Sequence, residues 1–206
     1  MSCHQVLSSE YSVHEVDRLC QHYLAILYHN IQLKSTASKN KISETYGEIL
    51  YAGVDKILSV IQPSSNDVFV DYGSGLGKMV LQVFLKSSVK KAYGIEILPE
   101  LHQHAMNAAH RMQHDLPEFY QNERKLTFLQ GNFLEIPLTT ATIAMVNSTC
   151  FTQSLLNQLG ALIEKNPSIH TVLSLRPLGR LERLIFKKVF RIECSWDTAL
   201  CYVYSK

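Results

Sequence analysis

Apolar residues recur at Val16, Leu19, Cys20, Tyr23, Leu24, Leu27, Tyr28 and Ile31. That spacing predicts a helix over residues 13–32, with a stripe wide enough to cover a core. A polar run, residues 34–41, follows and reads as a loop. A second helix is expected from Thr45 or Glu48 to Ile61, with Leu50, Val54, Ile57, Leu58 and Ile61 on one face. Residues 63–66, Pro-Ser-Ser-Asn, end it. From Asp67 the period changes, and short apolar runs alternate with helical segments. Strands are expected at 68–70, 92–95, 126–129, 143–146 and 171–174, and helices at 76–85, 99–112 and 151–164. Pro99 suits a first helical position, where its missing N–H would be unpaired in any case. Residues 114–124 read as a polar insertion, and 180–188 as a short helix. The last two strands, 189–194 and 200–204, leave no room for a helix between them and should pair antiparallel. Strand–helix alternation predicts an α/β fold, a seven-stranded, mostly parallel sheet closed by an antiparallel hairpin, with N-terminal helices in addition.

Composition narrows the possibilities. The chain has 206 residues, 46% of them hydrophobic and 18% charged, enough for a self-sufficient core. A formal net charge of +2 argues against a dedicated nucleic-acid binder, which carries a large basic excess. Residues 136–163 are uncharged, but Thr, Asn, Gln and Ser interrupt them, so no membrane span is expected. The first ten residues lack a basic region followed by an apolar block, so no secretory signal is expected. Five irregularly spaced cysteines without a CxxC pair read as reduced thiols in a cytoplasmic protein. His110 and His114 share a helix face but have no third ligand near them, so no metal site is assigned.

The sharpest motif is Asp71-Tyr-Gly73-Ser-Gly75-Leu-Gly77-Lys78, after a strand and opening a helix. Glycines there permit positive φ and a close approach to a ligand. The dinucleotide fingerprint G-x-G-x-x-G is not met, because Lys78 follows the third glycine. The phosphate-cradling G-x-x-x-x-G-K-[ST] is not met either, with Met79 at the hydroxyl position. S-adenosylmethionine is the third possibility, and a tight strand–helix turn in a non-binding α/β protein is the competing reading. S-adenosylmethionine has no phosphate, and its ammonium and sulfonium suit nearby acids. Asp71 is placed to meet the methionyl end. Glu96, ending the next strand, can accept from both ribose hydroxyls. After the third strand, Asn132 can bond the adenine amine and Phe133 can stack on the ring. A turn asparagine and a core phenylalanine are the competing readings.

These residues, taken together with Tyr46-Gly-Glu48, Tyr93-Gly-Ile-Glu96, Val146-Asn147, Phe151 and Ser195-Trp196, resemble the Dot family (disruptor of telomeric silencing), the non-SET histone lysine methyltransferases. The resemblance runs from about residue 41 to the C-terminus. It implies a Rossmann-like class I methyltransferase domain over residues 45–206, with S-adenosyl-L-methionine as cofactor and S-adenosyl-L-homocysteine as product. Residues 1–44 then form a helical cover, the natural place to look for what shapes substrate access. The resemblance also implies that Tyr46 and Glu48 sit on a loop closing over the methionyl group. A local reading competes for Glu48, since Thr45-x-x-Glu48 is also a capping box. Asn147 is implied at the base of a lysine channel and Phe151 as its aromatic wall, with Tyr202 or Tyr204 supplying another. The expected partner is a protein carrying the target lysine. Departures from the family are Asn132 for an acid, Lys78 for a glutamine and Thr149 for a phenylalanine. The basic cluster Arg176, Arg180, Arg183, Lys187, Lys188 and Arg191 reads as a solvated helix face or a docking site for an acidic partner. A methyltransferase for a small molecule or RNA, and a non-catalytic cofactor-binding scaffold, stay open as alternatives. Val146-Asn-Ser-Thr149, in place of an Asn-Pro-Pro-Tyr motif, counts against a base-directed enzyme.

Overall fold

A computed structural model of the chain describes residues 2, 3, 5, 11–29, 31, 47–179 and 181–206. The elements in chain order are α1 (Val13–Tyr28), α2 (Tyr51–Ile61), β1 (Val68–Tyr72), α3 (Lys78–Lys86), β2 (Lys91–Glu96), α4 (Pro99–Asp115), a 3₁₀ turn (Pro117–Tyr120), β3 (Lys125–Gln130), β4 (Ile143–Val146), α5 (Gln153–Lys165), β5 (Thr171–Ser174), β6 (Ile185–Glu193) and β7 (Thr198–Ser205). The seven strands form one sheet in the order β3-β2-β1-β4-β5-β7-β6. β1 to β5 run parallel, and β7 inserts antiparallel between β5 and β6. This is the sheet expected from the alternation of periods. Strand order reverses beside β1, so its carboxyl end and those of β2 and β4 open on a crevice where ligands of such sheets bind.

Each face of the sheet has its own core. α1 to α4 bury Val16, Val54, Ile57, Val80, Phe84 and Met112 on one side. α5 buries Leu156, Leu159 and Ile163 on the other. Two basic side chains staple the periphery. The Lys86 ammonium lies 2.6 Å from both Asp17 of α1 and Asp55 of α2, and over the Tyr51 ring. Arg124 is buried and donates to the carbonyls of Phe84, Ser87, Val89 and Phe119, closing the end of α3. Burial pulls its guanidinium pKa down to about 10. Residues 114–124 are therefore not simply a polar excursion: Phe119 and Arg124 belong to the interior.

Two expectations fail at the C-terminal end. Residues 180–188 do not form a helix. β6 starts at Ile185 and pairs with β7 down to Ile185 opposite Ser205. Its β-branched and aromatic residues favour a pleated surface, and the ladder with β7 extends it into the segment expected to be helical. The basic cluster is likewise no helix face. Arg180 lies outside the described residues. Arg183 turns inward, its guanidinium donating to the carbonyls of Ile163, Glu164, Asn166 and Ile169. It thereby adds donors to carbonyls at and just beyond the end of α5, where Ile163 and Asn166 also take a backbone N–H each. The second helix also starts later than expected, at Tyr51 with Leu50 as N-cap. Glu48 therefore precedes that helix, and Thr45 lies outside the described residues.

Candidate active site

A cavity of about 290 Å³ opens at the carboxyl ends of β1, β2 and β4. Its wall includes Glu48, Asp71, Gly73, Gly75, Glu96, Asn132, Phe133, Asn147 and Phe151. The residues singled out in the sequence thus meet around one space, except Tyr46, which lies outside the described residues.

The floor is the glycine loop. Gly73 has φ +88°, and an added Cβ would stand 3.2 Å from the Phe151 ring. Gly77 has φ +79° as N-cap of α3, and its Cβ would collide with Phe128 at 2.4 Å. Both need the left-handed region, where a side chain is strained. Gly94 of β2 is a further requirement, since a Cβ there would fall 2.5 Å from Phe128 and 2.6 Å from Ser74 Oγ. Its absence lets the loop lie close on the sheet.

Glu96 is buried, and its two oxygens accept from Gly75 N–H and Leu98 N–H, each at 2.8 Å. The carboxylate locks the loop to the end of β2, and each oxygen keeps a second lone pair. Asp71 is also buried, and its Oδ1 has no hydrogen-bond partner. Burial, with the Glu96 charge adding, holds its pKa well above the carboxylate range. Asn147 donates from Nδ2 to Gly47 O at 2.9 Å, and that bond fixes which way the amide faces. Its Oδ1 is buried without a partner. Two unpartnered acceptors on one wall are unusual, and each points to a donor or cation that completes them.

Residues 47–49 roof the cavity as a strap. Glu48 N–H donates to Ser195 Oγ at 3.1 Å, and Ser195 N–H donates to Glu48 O at 2.8 Å. Ile49 bridges Cys194, and the Trp196 ring covers Gly47 so closely that a Cβ would fall 2.6 Å from it. The Glu48 carboxylate lies 2.6 Å from Lys78 Nζ.

Phe133 and Phe151 pack with ring centroids 5.7 Å apart, and Tyr72 backs Phe133 at the same distance. Both phenylalanines are cavity wall and core at once. Arg176 donates to the Phe151 carbonyl, so this member of the basic cluster holds the aromatic wall. Asn132 makes a local turn, Oδ1 accepting from Leu134 N–H and Nδ2 donating to Glu135. Tyr202 and Tyr204 do not line the cavity. They face Phe186 on the hairpin, and Tyr204 Oη accepts from Leu178 N–H. Sequence reasoning missed Ser74, Ile97, Leu98, Leu101, Cys150 and Leu155 in the wall. Of these, Ser74 lies inside the glycine motif and Ile97 directly follows Glu96, so those two had a sequence signal beside them. Among the described residues no cluster of metal-ligating side chains occurs, and no helix is long and apolar enough to cross a membrane.

The chain is similar to known proteins in sequence and in fold. A histone-lysine N-methyltransferase specific for H3 lysine-79, from Caenorhabditis elegans, is 30% identical over 123 residues, covering 57% of this chain but 13% of that protein. The chain therefore spans a small part of that relative. Among solved structures, an RNA methyltransferase from Salinibacter ruber in complex with S-adenosyl-L-homocysteine superposes with a TM-score of 0.56 at 21% identity, covering 76% of this chain and 91% of that one. A magnesium protoporphyrin IX methyltransferase from Synechocystis PCC 6803, with bound S-adenosylmethionine, matches 100% of this chain and 98% of its own at a TM-score of 0.55 and 10% identity. At these identities the shared property is the class I methyltransferase fold. The model of the histone methylation protein DOT1 family matches residues 24–192, from within α1 to near the end of β6, and the chain belongs to that family.

Proposed function

We propose that the chain is an S-adenosylmethionine-dependent methyltransferase whose acceptor is a protein lysine. The observation that carries this reading is the pair of unpartnered acceptors, Asp71 Oδ1 and Asn147 Oδ1, in a cavity walled by Phe133 and Phe151. Such a wall suits a cationic ligand with an apolar body. The residues fit the cofactor in four ways. Asp71 offers an unmatched carboxylate for the ammonium end. The free lone pairs of Glu96 suit ribose hydroxyls. The positive-φ glycines let the loop backbone approach closely. Asn132 offers its amide oxygen and Phe133 its ring edge to the adenine. When bound, the cofactor supplies a methyl group activated by a sulfonium.

The chain's own residues then have to bring an amine into line and keep water out. A free lysine has a pKa of about 10.4 and must lose its proton before it can act as nucleophile. Enclosure by Phe151 and the strap lowers that pKa by desolvation, so no dedicated base is required. The fixed Asn147 amide accepts one N–H of the amine and leaves its lone pair directed elsewhere. Thr149 makes the outer wall more polar than an aromatic would. The relative named above methylates histone H3 by its description, which favours a histone or histone-like protein as acceptor. The test is transfer of labelled methyl groups from S-adenosylmethionine to purified histones and to a whole-cell protein extract. Label in protein is expected. Cofactor binding without label in any protein would refute the reading.

A further inference from the structure

α1 contributes no described residue to the cavity wall, yet through one side chain it touches the floor and, by way of Lys78, reaches the roof. Tyr28, its last residue, donates from Oη to Leu76 O at 2.9 Å, inside the glycine loop. The Tyr28 ring also lies under Lys78 Nζ, 5.1 Å from its centroid. Lys78 is the first residue of α3, lines the cavity, and pairs with Glu48 of the strap at 2.6 Å. One chain of contacts thus runs from α1 to loop to lysine to strap. Burial keeps the Tyr28 hydroxyl protonated, with the Glu48 charge in support, so it stays a donor.

We propose that Tyr28 and Lys78 are positioning residues that hold the glycine loop and the Gly47–Glu48 strap together before the cofactor arrives, so that α1 sets cofactor affinity without touching the cofactor. Lys78 stands where the family resemblance expects a glutamine. A glutamine could hydrogen-bond Glu48, but it has no charge to hold the carboxylate or to seat on the Tyr28 ring. Fixing the strap in advance removes part of the ordering cost of binding. The inference rests on the reading of the cavity as a cofactor site.

The test is calorimetric affinity for S-adenosyl-L-homocysteine, read beside the fluorescence of Trp196. That residue is the chain's single tryptophan and covers Gly47, so its emission reports the strap. Lys78→Gln and Tyr28→Leu should each raise Kd about tenfold, the scale of a partly exposed ion pair plus a cation–π contact. Both should red-shift Trp196 emission in the free protein. Combined, they should lose little more than either alone, since both break one chain of contacts. Tyr28→Phe, which removes only the hydroxyl, should raise Kd roughly threefold. Tyr23→Phe is the control. Its hydroxyl joins α1 to Asp115 of α4, away from the cavity, so it should leave Kd unchanged. Should Tyr28→Leu unfold, Tyr28→Phe against Tyr23→Phe decides the matter. Wild-type affinity in Lys78→Gln, equal losses from the Tyr28 and Tyr23 phenylalanine variants, or fully multiplicative losses in the double variant would each overturn the relay and leave the cofactor site standing. A wild-type chain that binds no cofactor would overturn the site itself.

Discussion

Glu96→Gln isolates the acid on which the cofactor site is built. The substitution keeps shape and removes charge. In the wild type the two carboxylate oxygens each receive a backbone N–H at 2.8 Å, from Gly75 and Leu98. In the amide, one of those N–H groups faces an NH₂, donor to donor. A lost bond to a charged, buried acceptor costs about 1.5–3 kcal/mol. For a chain of this size that lowers Tm by roughly 3–12 °C. At least one ribose hydroxyl loses its acceptor as well, which by the same scale raises the cofactor Kd roughly 10- to 150-fold. There is also a second, sharper signature. The Glu96 charge helps to hold Asp71 above the carboxylate range. Without it, Asp71 ionises more readily, and the pH dependence of cofactor binding moves to lower pH. Calorimetry with S-adenosylmethionine across a pH series reads both effects. Wild-type Kd at every pH would refute the ribose assignment, and a lower affinity with an unmoved pH profile would refute the Asp71–Glu96 coupling.

Four further outcomes are expected. Asp71 has its folded pKa raised, so its contribution to stability is intact below the ordinary carboxylate range and is lost as pH rises through the folded value; Asp71→Asn should flatten that decline in melting experiments while weakening cofactor binding. A cationic ligand favours the ionised form of Asp71, so at pH values below its raised folded pKa, binding in buffers of different ionisation enthalpy should show proton release in the wild type and none in Asp71→Asn. Arg183→Ala removes the guanidinium from the end of α5 and should cost about 2–3 kcal/mol in denaturant unfolding, with activity per folded molecule unchanged; full stability would show that water replaces those bonds. Gly73→Ala places a methyl 3.2 Å from the Phe151 ring at φ +88°, so it should cost about 1–2 kcal/mol of stability and reduce turnover; wild-type kinetics would show that the loop is free to relax.

The sheet was legible because its signal is local. Each strand of the parallel half holds a short apolar run, and the crossovers after β1, β2 and β4 are helix-period segments, so those elements form where the pattern states, whereas residues 114–124 are not the polar insertion it suggested. The glycine loop and Glu96 were legible for a related reason: they occupy fixed places at the ends of adjacent parallel strands. What stayed hidden depends on contacts distant in sequence. Glu48 finds Ser195 across a separation of 147 residues, and Asn147 finds Gly47 across 100. No periodicity announces a strap of that kind. Arg183 and Arg176 looked like surface charge because a cation satisfying backbone carbonyls has no sequence signature distinct from a solvated one. β6 was misread at its start because Lys187 and Lys188 sit on an exposed edge strand, where alternation of apolar and polar residues is no longer enforced by a buried face. Asn132 forms the local turn of one reading and also lines the cavity.

The central claim is that this cavity delivers a methyl group to a lysine amine held between Asn147 and Phe151. The most direct measurement is to react the chain with labelled S-adenosylmethionine and a protein extract, digest the labelled protein, and locate the modified residue by mass spectrometry, with Asn147→Ala in parallel. Methylation on lysine ε-nitrogens, with turnover reduced far more than cofactor affinity in Asn147→Ala, is the predicted result. Label on RNA or a small molecule, or lysine methylation unaffected by the loss of Asn147, would contradict it.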